Sequence, residues 1–104
     1  MTQKRDTSRR LTFAEVNAAA VTHIPRIVTR LLPGGRPEGA EYVVRNPRRA
    51  DNKPGSFKIN LKTGKWQDFA TGDKGGDIIS LVSFLDNINP PKALDAVARM
   101  VGMA

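Results

Sequence analysis

A β-hairpin pattern in the middle of the chain constrains the fold of these 104 residues more than any other feature. Over Ser56–Leu61, apolar residues occupy every second position from Phe57 onward, and Lys58 and Asn60 lie between them. The next three residues, Lys-Thr-Gly, have the composition of a turn, and Lys65–Phe69 returns as the partner strand. The pattern predicts a hairpin with one face on a hydrophobic core.

Two short helices are predicted before the hairpin. Thr12 and Glu15 have the spacing of a capping box, so a helix should begin there. One side of that helix carries Phe13, Val16 and Ala20. Pro25 opens a second helix, which the Pro-Gly-Gly sequence at 33–35 stops. A loop then runs to about Gly39, and residues 41–45 have the composition of a strand.

Two further helices are predicted after the hairpin. The type and position of Asp77 predict an N-cap, and the helix after it is apolar over much of its circumference, so it should be the core helix. Asn89 and the two prolines after it begin the last helix, which Gly102 ends. Its inward-facing residues are predicted to be Leu94, Val97, Ala98 and Val101.

These elements predict an α+β fold, in which a small antiparallel sheet of about three strands with a central hairpin packs against helices. Residues 1–11 are expected to form a flexible basic arm, and residues 12–104 a single module. No apolar run approaches the roughly 20 residues that a membrane span needs, and we expect a cytoplasmic protein.

Composition indicates a polyanionic partner and excludes cysteine chemistry. The 17 Lys and Arg residues outnumber the 10 Asp and Glu residues, which gives a formal net charge of +7. A charge of this sign and size favours binding to nucleic acid. The chain has no cysteine, so disulfides, thiolate zinc sites and cysteine nucleophiles are excluded.

The positive charge is concentrated in one part of the sequence. Residues 45–65 hold seven basic residues and one acidic residue, whereas residues 77–104 hold two basic and three acidic residues. Such segregation suits a surface that follows phosphates, although lysine on a strand edge also serves simply to prevent aggregation. The predicted nucleic-acid-binding residues are Arg45, Arg48, Arg49, Lys53, Lys58, Lys62, Lys65 and Trp66.

The aromatic residues of the hairpin have two possible roles. Trp66, the only tryptophan, lies within the basic hairpin, where its ring has the chemistry to stack on a nucleobase. Packing of the same ring on the C-terminal helices is an equally good interpretation. Phe57 and Phe69 are expected in the core.

The order of motifs resembles the CHC-type zinc-binding domain of DnaG-like primases of bacteria, phages and plasmids. In that family, Cys-Pro-x-His precedes a Ser-Phe strand, and a hairpin leads through an aromatic residue to Cys-Phe-x-Cys-Gly. A glycine-rich loop and a helix beginning Gly-Asp/Asn-Ala/Ile-Ile follow. This chain has Asn-Pro-Arg-Arg at 46–49, Gly-Ser-Phe-Lys-Ile at 55–59, Trp-Gln-Asp-Phe-Ala-Thr-Gly at 66–72 and Gly-Gly-Asp-Ile-Ile at 75–79. A closing helix pattern follows at 91–98, and the resemblance covers residues 24–102.

The zinc ligands of that family are missing. The matching positions hold Asn46, Arg49, Asp68 and Thr71, none of which is a thiolate or an imidazole. A structural zinc site needs Cys or His at almost every position, so we expect neither a metal nor another cofactor. A salt bridge between Asp68 and Arg49 across the former metal position is a further hypothesis.

The resemblance implies a module that handles the template rather than a catalyst. In the family, this domain contacts single-stranded DNA and regulates primer initiation by a separate catalytic domain. We therefore expect a non-catalytic module that binds single-stranded DNA beside a primase, polymerase or helicase protein. The alternative is an adaptor that binds such a protein without binding DNA. A magnesium site made of Asp68, Asp73 and Asp77 is a weaker alternative, because cap and turn roles already explain Asp77 and Asp73.

Overall fold

The computed structural model describes residues 11–48 and 56–103, and these residues form an α+β fold. In chain order, the elements are α1 (Phe13–Val21), α2 (Ile24–Leu31), β1 (Arg36–Glu38), β2 (Glu41–Val44), β3 (Phe57–Asn60), β4 (Trp66–Asp68), β5 (Lys74–Gly75), α3 (Ile78–Asp86) and α4 (Pro90–Met100). The predicted fold class is confirmed. The predicted basic arm lies outside the described residues except for Leu11. No helix in the described ranges is long and apolar enough to cross a bilayer.

The sheet has five strands in the order β1-β2-β3-β4-β5, and every neighbouring pair is antiparallel. The prediction of about three strands was therefore wrong. β1 pairs with β2 across the tight turn between Glu38 and Glu41, and β5 adds two residues beside β4. Both missed strands are short and lie at the edges of the sheet, where sequence composition gives little signal.

The capping residues place the helices as predicted. The Thr12 hydroxyl accepts the N–H of Glu15 and the Glu15 carboxylate accepts the N–H of Thr12, which completes a capping box. Asp77 accepts the N–H of Ser80 at the start of α3, and Asn89 accepts the N–H of Lys92 at the start of α4. Each cap satisfies a backbone donor that the helix itself leaves unpaired.

The predicted hairpin is confirmed between β3 and β4. Gly64 completes the turn with φ of +81°, a conformation that glycine adopts without steric cost. The Asn60 side chain accepts the backbone N–H groups of Lys62 and Thr63, so the turn is closed from within. Phe57 and Ile59 of β3 are completely buried, as the alternating pattern predicts.

An aromatic cluster joins this hairpin to the helices. The ring centroids of Trp66 and Phe84 are 4.8 Å apart, and Phe57 lies 6.0 Å from Trp66 and 6.2 Å from Phe84. The Trp66 indole Nε1–H donates to the Ser80 hydroxyl at 3.0 Å, which satisfies its one polar group. The cluster belongs to a core to which all four helices contribute.

Gly75 is the residue that lets β5 lie against this cluster. A Cβ at this position would stand 2.5 Å from Trp66 Nε1 and would also clash with the Ser80 hydroxyl. A methyl group at the neighbouring Gly76 would meet no heavy atom within 4 Å. The edge of the sheet therefore has room for a side chain at Gly76 but not at Gly75.

We predict that Gly75→Ala destabilises the protein by about 1–3 kcal/mol, because overpacking forces either β5 or the Trp66 ring to move. Gly76→Ala is the matched control and should change stability by less than about 0.5 kcal/mol. Urea unfolding of both variants, followed by circular dichroism, measures the difference. Equal unfolding midpoints for the two variants would contradict the close approach.

Candidate nucleic-acid interface

The two faces of the sheet differ in chemistry. One face carries the core residues Tyr42, Val44, Phe57, Ile59 and Trp66. Because successive side chains of a strand alternate between faces, the residues between them point the other way. We call that opposite surface the outer face.

A continuous row of paired residues crosses the outer face. The register joins five residues, one from each strand, in the order Arg36, Val43, Lys58, Gln67 and Lys74. We call this set the cross-strand row. Strands lie about 4.8 Å apart, so its three cations follow one another at intervals of roughly 10 Å. Sequence reasoning identified Lys58 but missed Arg36 and Lys74, because their strands were not predicted.

The positive charge of the row is partly neutralised at its β1 end. The Arg36 guanidinium lies 2.7 Å from the Glu38 carboxylate, and both side chains are largely exposed. Glu41 also lies at this end and accepts the side-chain amide of Asn60 at 3.3 Å. The basic part of the outer face is consequently centred on β3, β4 and β5.

Phe69 is exposed beside this basic part, contrary to the prediction that it lies in the core. Phe69 follows β4 directly, two positions after Gln67, and it is 63% exposed. The alternation that buries Trp66 and Asp68 directs residues 67 and 69 outward. The Lys58 ammonium lies 5.8 Å from the centroid of the Phe69 ring, which is within cation–π distance.

Trp66 was predicted either to stack on a nucleobase or to pack in the core. The structure places it in the core, so the predicted stacking role is corrected. It is 5% exposed, and its ring packs against Phe57 and Phe84. A base cannot stack on this ring in the described conformation. The aromatic residue that the outer face offers instead is Phe69.

The other predicted site residues divide into three groups. Arg45 is exposed directly after β2, and Lys62 and Lys65 are exposed around the hairpin turn between β3 and β4. Arg48 reaches α3, where its guanidinium lies 5.2 Å from the Phe84 ring centroid and donates to the Phe84 carbonyl at 3.0 Å. Arg49 and Lys53 lie outside the described residues.

Two of the four positions at which the resemblance places zinc ligands meet in the interior. Asn46 and Asp68 are 2% and 0% exposed, and the Asn46 amide donates to the Asp68 carboxylate at 2.9 Å. The other Asp68 oxygen accepts the backbone N–H of Ala70 at 2.9 Å. The bond between Asn46 and Asp68 joins the loop after β2 to the end of β4.

The other two of these positions contribute differently. The Thr71 hydroxyl donates to Asp73 at 2.9 Å, within the exposed loop before β5. The hypothesised salt bridge from Asp68 to Arg49 stays a prediction, because Arg49 lies outside the described residues. No three His, Asp or Glu side chains within residues 11–48 and 56–103 form a group able to hold a metal, so Asp68, Asp73 and Asp77 do not form one.

Comparison with known proteins gives this geometry no family name. No protein-family model matches the sequence, and no curated protein matches it. We therefore infer function from the residues of this chain.

We predict that Asp68→Ala destabilises the protein by about 1–3 kcal/mol, because it leaves the buried Asn46 amide and the Ala70 N–H without this acceptor. Asp95→Ala, at an exposed position in α4, is the control and should be nearly neutral. Thermal melts of the two variants test the difference. An unchanged melting temperature for Asp68→Ala would show that the buried hydrogen bond contributes nothing.

Proposed function

We propose that this protein is a non-catalytic module that binds single-stranded DNA on the outer face of its sheet. The observation that carries the proposal is the exposed Phe69 ring beside Lys58, on the basic part of the outer face that β3, β4 and β5 form. Single-strand-binding proteins combine these two elements, an aromatic ring for a base and cations for the backbone.

The two kinds of contact have separate roles in this proposal. Lys58, Lys65 and Lys74 bind phosphates, and each neutralised phosphate releases condensed counterions and so contributes salt-dependent affinity. Phe69 stacks on an unpaired base, a contact that every base can make because every base has a π-face. The bases of a duplex are already stacked on one another, so the outer face should prefer single strands.

The resemblance described above supplies the setting for this proposal. A metal-free module of the primase type would bind the template beside a primase, polymerase or helicase protein during replication of a phage or another mobile element. No catalytic step is assigned to the chain, and the cytoplasm, where such proteins act, is the proposed location. The basic outer face supports DNA as the primary partner, with protein binding through other surfaces.

Fluorescence anisotropy with labelled oligonucleotides at two salt concentrations tests the proposal. We expect a single strand to bind more tightly than a duplex, with an affinity that falls steeply as salt is raised. Failure to bind any oligonucleotide more tightly than about 10⁻⁴ M at low salt would refute DNA binding, since ordinary non-specific binding reaches that level. Retention of a protein partner after nuclease treatment would then favour the adaptor role.

Two variants, each with a matched control, separate phosphate contact from base stacking. Lys58→Ala should reduce the slope of log K against log salt by about 0.7, the single-strand value for one phosphate, whereas Lys92→Ala on α4 should leave it unchanged. Phe69→Ala should cost about 1–3 kcal/mol of binding with little change in slope, whereas Val21→Ala, another exposed apolar residue, should cost none. Equal effects of a variant and its control would place the DNA elsewhere.

A further inference from the structure

A pocket opens where the β5 edge of the sheet meets the start of α3. Its volume is about 420 Å³, which falls in the range of about 300–1,000 Å³ typical of small-ligand sites. Three aromatic residues and three charged residues contribute to its lining, namely Phe13, Trp66, Phe84, Asp73, Lys74 and Asp77. Phe13 shares one side of α1 with the buried Val16 and Ala20, but it is itself 45% exposed at this pocket.

The aromatic wall of the pocket is built into the core. Trp66 and Phe84 are inclined at only 35° with centroids 4.8 Å apart, and the hydrogen bond from Trp66 to Ser80 fixes the indole. Gly75 has no side chain to cover that indole, and a Cβ there would stand against Nε1. The Trp66 and Phe84 rings form a rigid floor, and the exposed Phe13 ring is the surface on which a flat, aromatic occupant can pack.

Lys74 links the pocket to the outer face. It is the last member of the cross-strand row through its pairing with Gln67, and it also lines the pocket. A strand bound along the row would therefore have a phosphate at Lys74, and the adjoining base could turn around the edge of β5. The pocket lies where such a base would arrive.

Two carboxylates determine which base fits. The serine hydroxyls of the pocket are already engaged, since Ser80 accepts from Trp66 and Ser83 donates to the Ile88 carbonyl. Asp77 uses one oxygen to cap α3 and Asp73 accepts from Thr71, but a carboxylate has about four acceptor positions. With Lys74 assigned to a phosphate, the remaining charged groups of the pocket are acceptors, and they require a base that presents N–H donors.

We propose that this pocket binds a guanine base of the single strand. Guanine presents a ring N–H and an amino group side by side, and a carboxylate accepts both at once. Adenine and cytosine place an acceptor nitrogen beside the amino group, and thymine flanks its ring N–H with two carbonyls. The inference rests on the proposed DNA binding and adds a base preference to it.

A basic side chain of a protein partner is the competing occupant. Phe84 already has the Arg48 guanidinium 5.2 Å from its ring centroid, so this chain itself occupies its cation-binding face. Lys74 also contributes a positive charge to the lining, which offsets one of the two carboxylates. A neutral base does not need that face of Phe84.

Free nucleosides test the pocket without the phosphate contacts. In ¹H–¹⁵N NMR spectra of the full chain, deoxyguanosine should shift the Trp66 indole N–H signal in a saturable way, and thymidine should bind at least about tenfold more weakly. Equal shifts with both nucleosides, or no shift with either, would overturn the proposal. A shift with N-acetylarginine amide but not with deoxyguanosine would assign the pocket to a protein side chain instead.

Conservative variants test the assigned groups. Asp77→Asn keeps a good N-cap for α3 but removes the charge, so it should weaken deoxyguanosine binding about tenfold without changing the melting temperature. Phe13→Ala should also weaken it, whereas the controls Asp95→Asn and Val21→Ala should not. Deoxyguanosine binding that is unchanged in both Asp77→Asn and Phe13→Ala would show that the base binds elsewhere.

Oligonucleotides separate this inference from the proposed function. An oligothymidylate with one central guanine should bind about tenfold more tightly than oligothymidylate alone, and Asp77→Asn should remove the difference. Equal affinities would overturn the guanine site while leaving DNA binding on the outer face intact. Deoxyguanosine binding without any oligonucleotide binding would preserve the pocket and refute the DNA-binding function.

Discussion

The packing of Trp66 against α3 is the contact on which the rest of the structure depends. The ring contacts Phe57 of the same hairpin and Phe84 of α3, and its N–H donates to the Ser80 hydroxyl. One side chain thus joins the centre of the sheet to the core helix. Gly75 of β5 packs directly against the same ring, so the position of this edge strand depends on Trp66. The pocket beside β5 is also lined by Trp66.

Burial of the tryptophan determines which face of the sheet can bind a ligand. Because Trp66 and Asp68 point inward, the strand alternation directs Gln67 and Phe69 outward. An aromatic ring is then placed beside Lys58 rather than among the helices. The chemistry that the sequence analysis assigned to Trp66 is therefore available on the outer face, but from a residue three positions later.

Local signals predicted most of the fold, and non-local pairing accounts for what they missed. The caps at Thr12, Asp77 and Asn89 and the hairpin turn at Gly64 involve residues close in sequence, so the helices and the central hairpin could be predicted. Strands β1 and β5 have three and two residues, and only their partners in the sheet define them. The cations of those strands, and hence the cross-strand row, could not be predicted from the sequence.

Residue type misled the prediction at Phe69, where the alternation pattern was the better guide. Its apolar character favoured the core, whereas the burial of Trp66 and Asp68 in β4 places residue 69 on the opposite face. Asp68 illustrates the converse, a charged residue that is completely buried.

The contact between Asn46 and Asp68 explains how an acidic residue can occupy the interior at the end of β4. A buried carboxylate is costly unless donors surround it, and here an amide and a backbone N–H each donate to it at 2.9 Å. These bonds join the loop after β2 to the end of β4, two segments 22 residues apart in sequence. The outward direction of Phe69 follows, because Asp68 can reach Asn46 only with its own side chain turned inward.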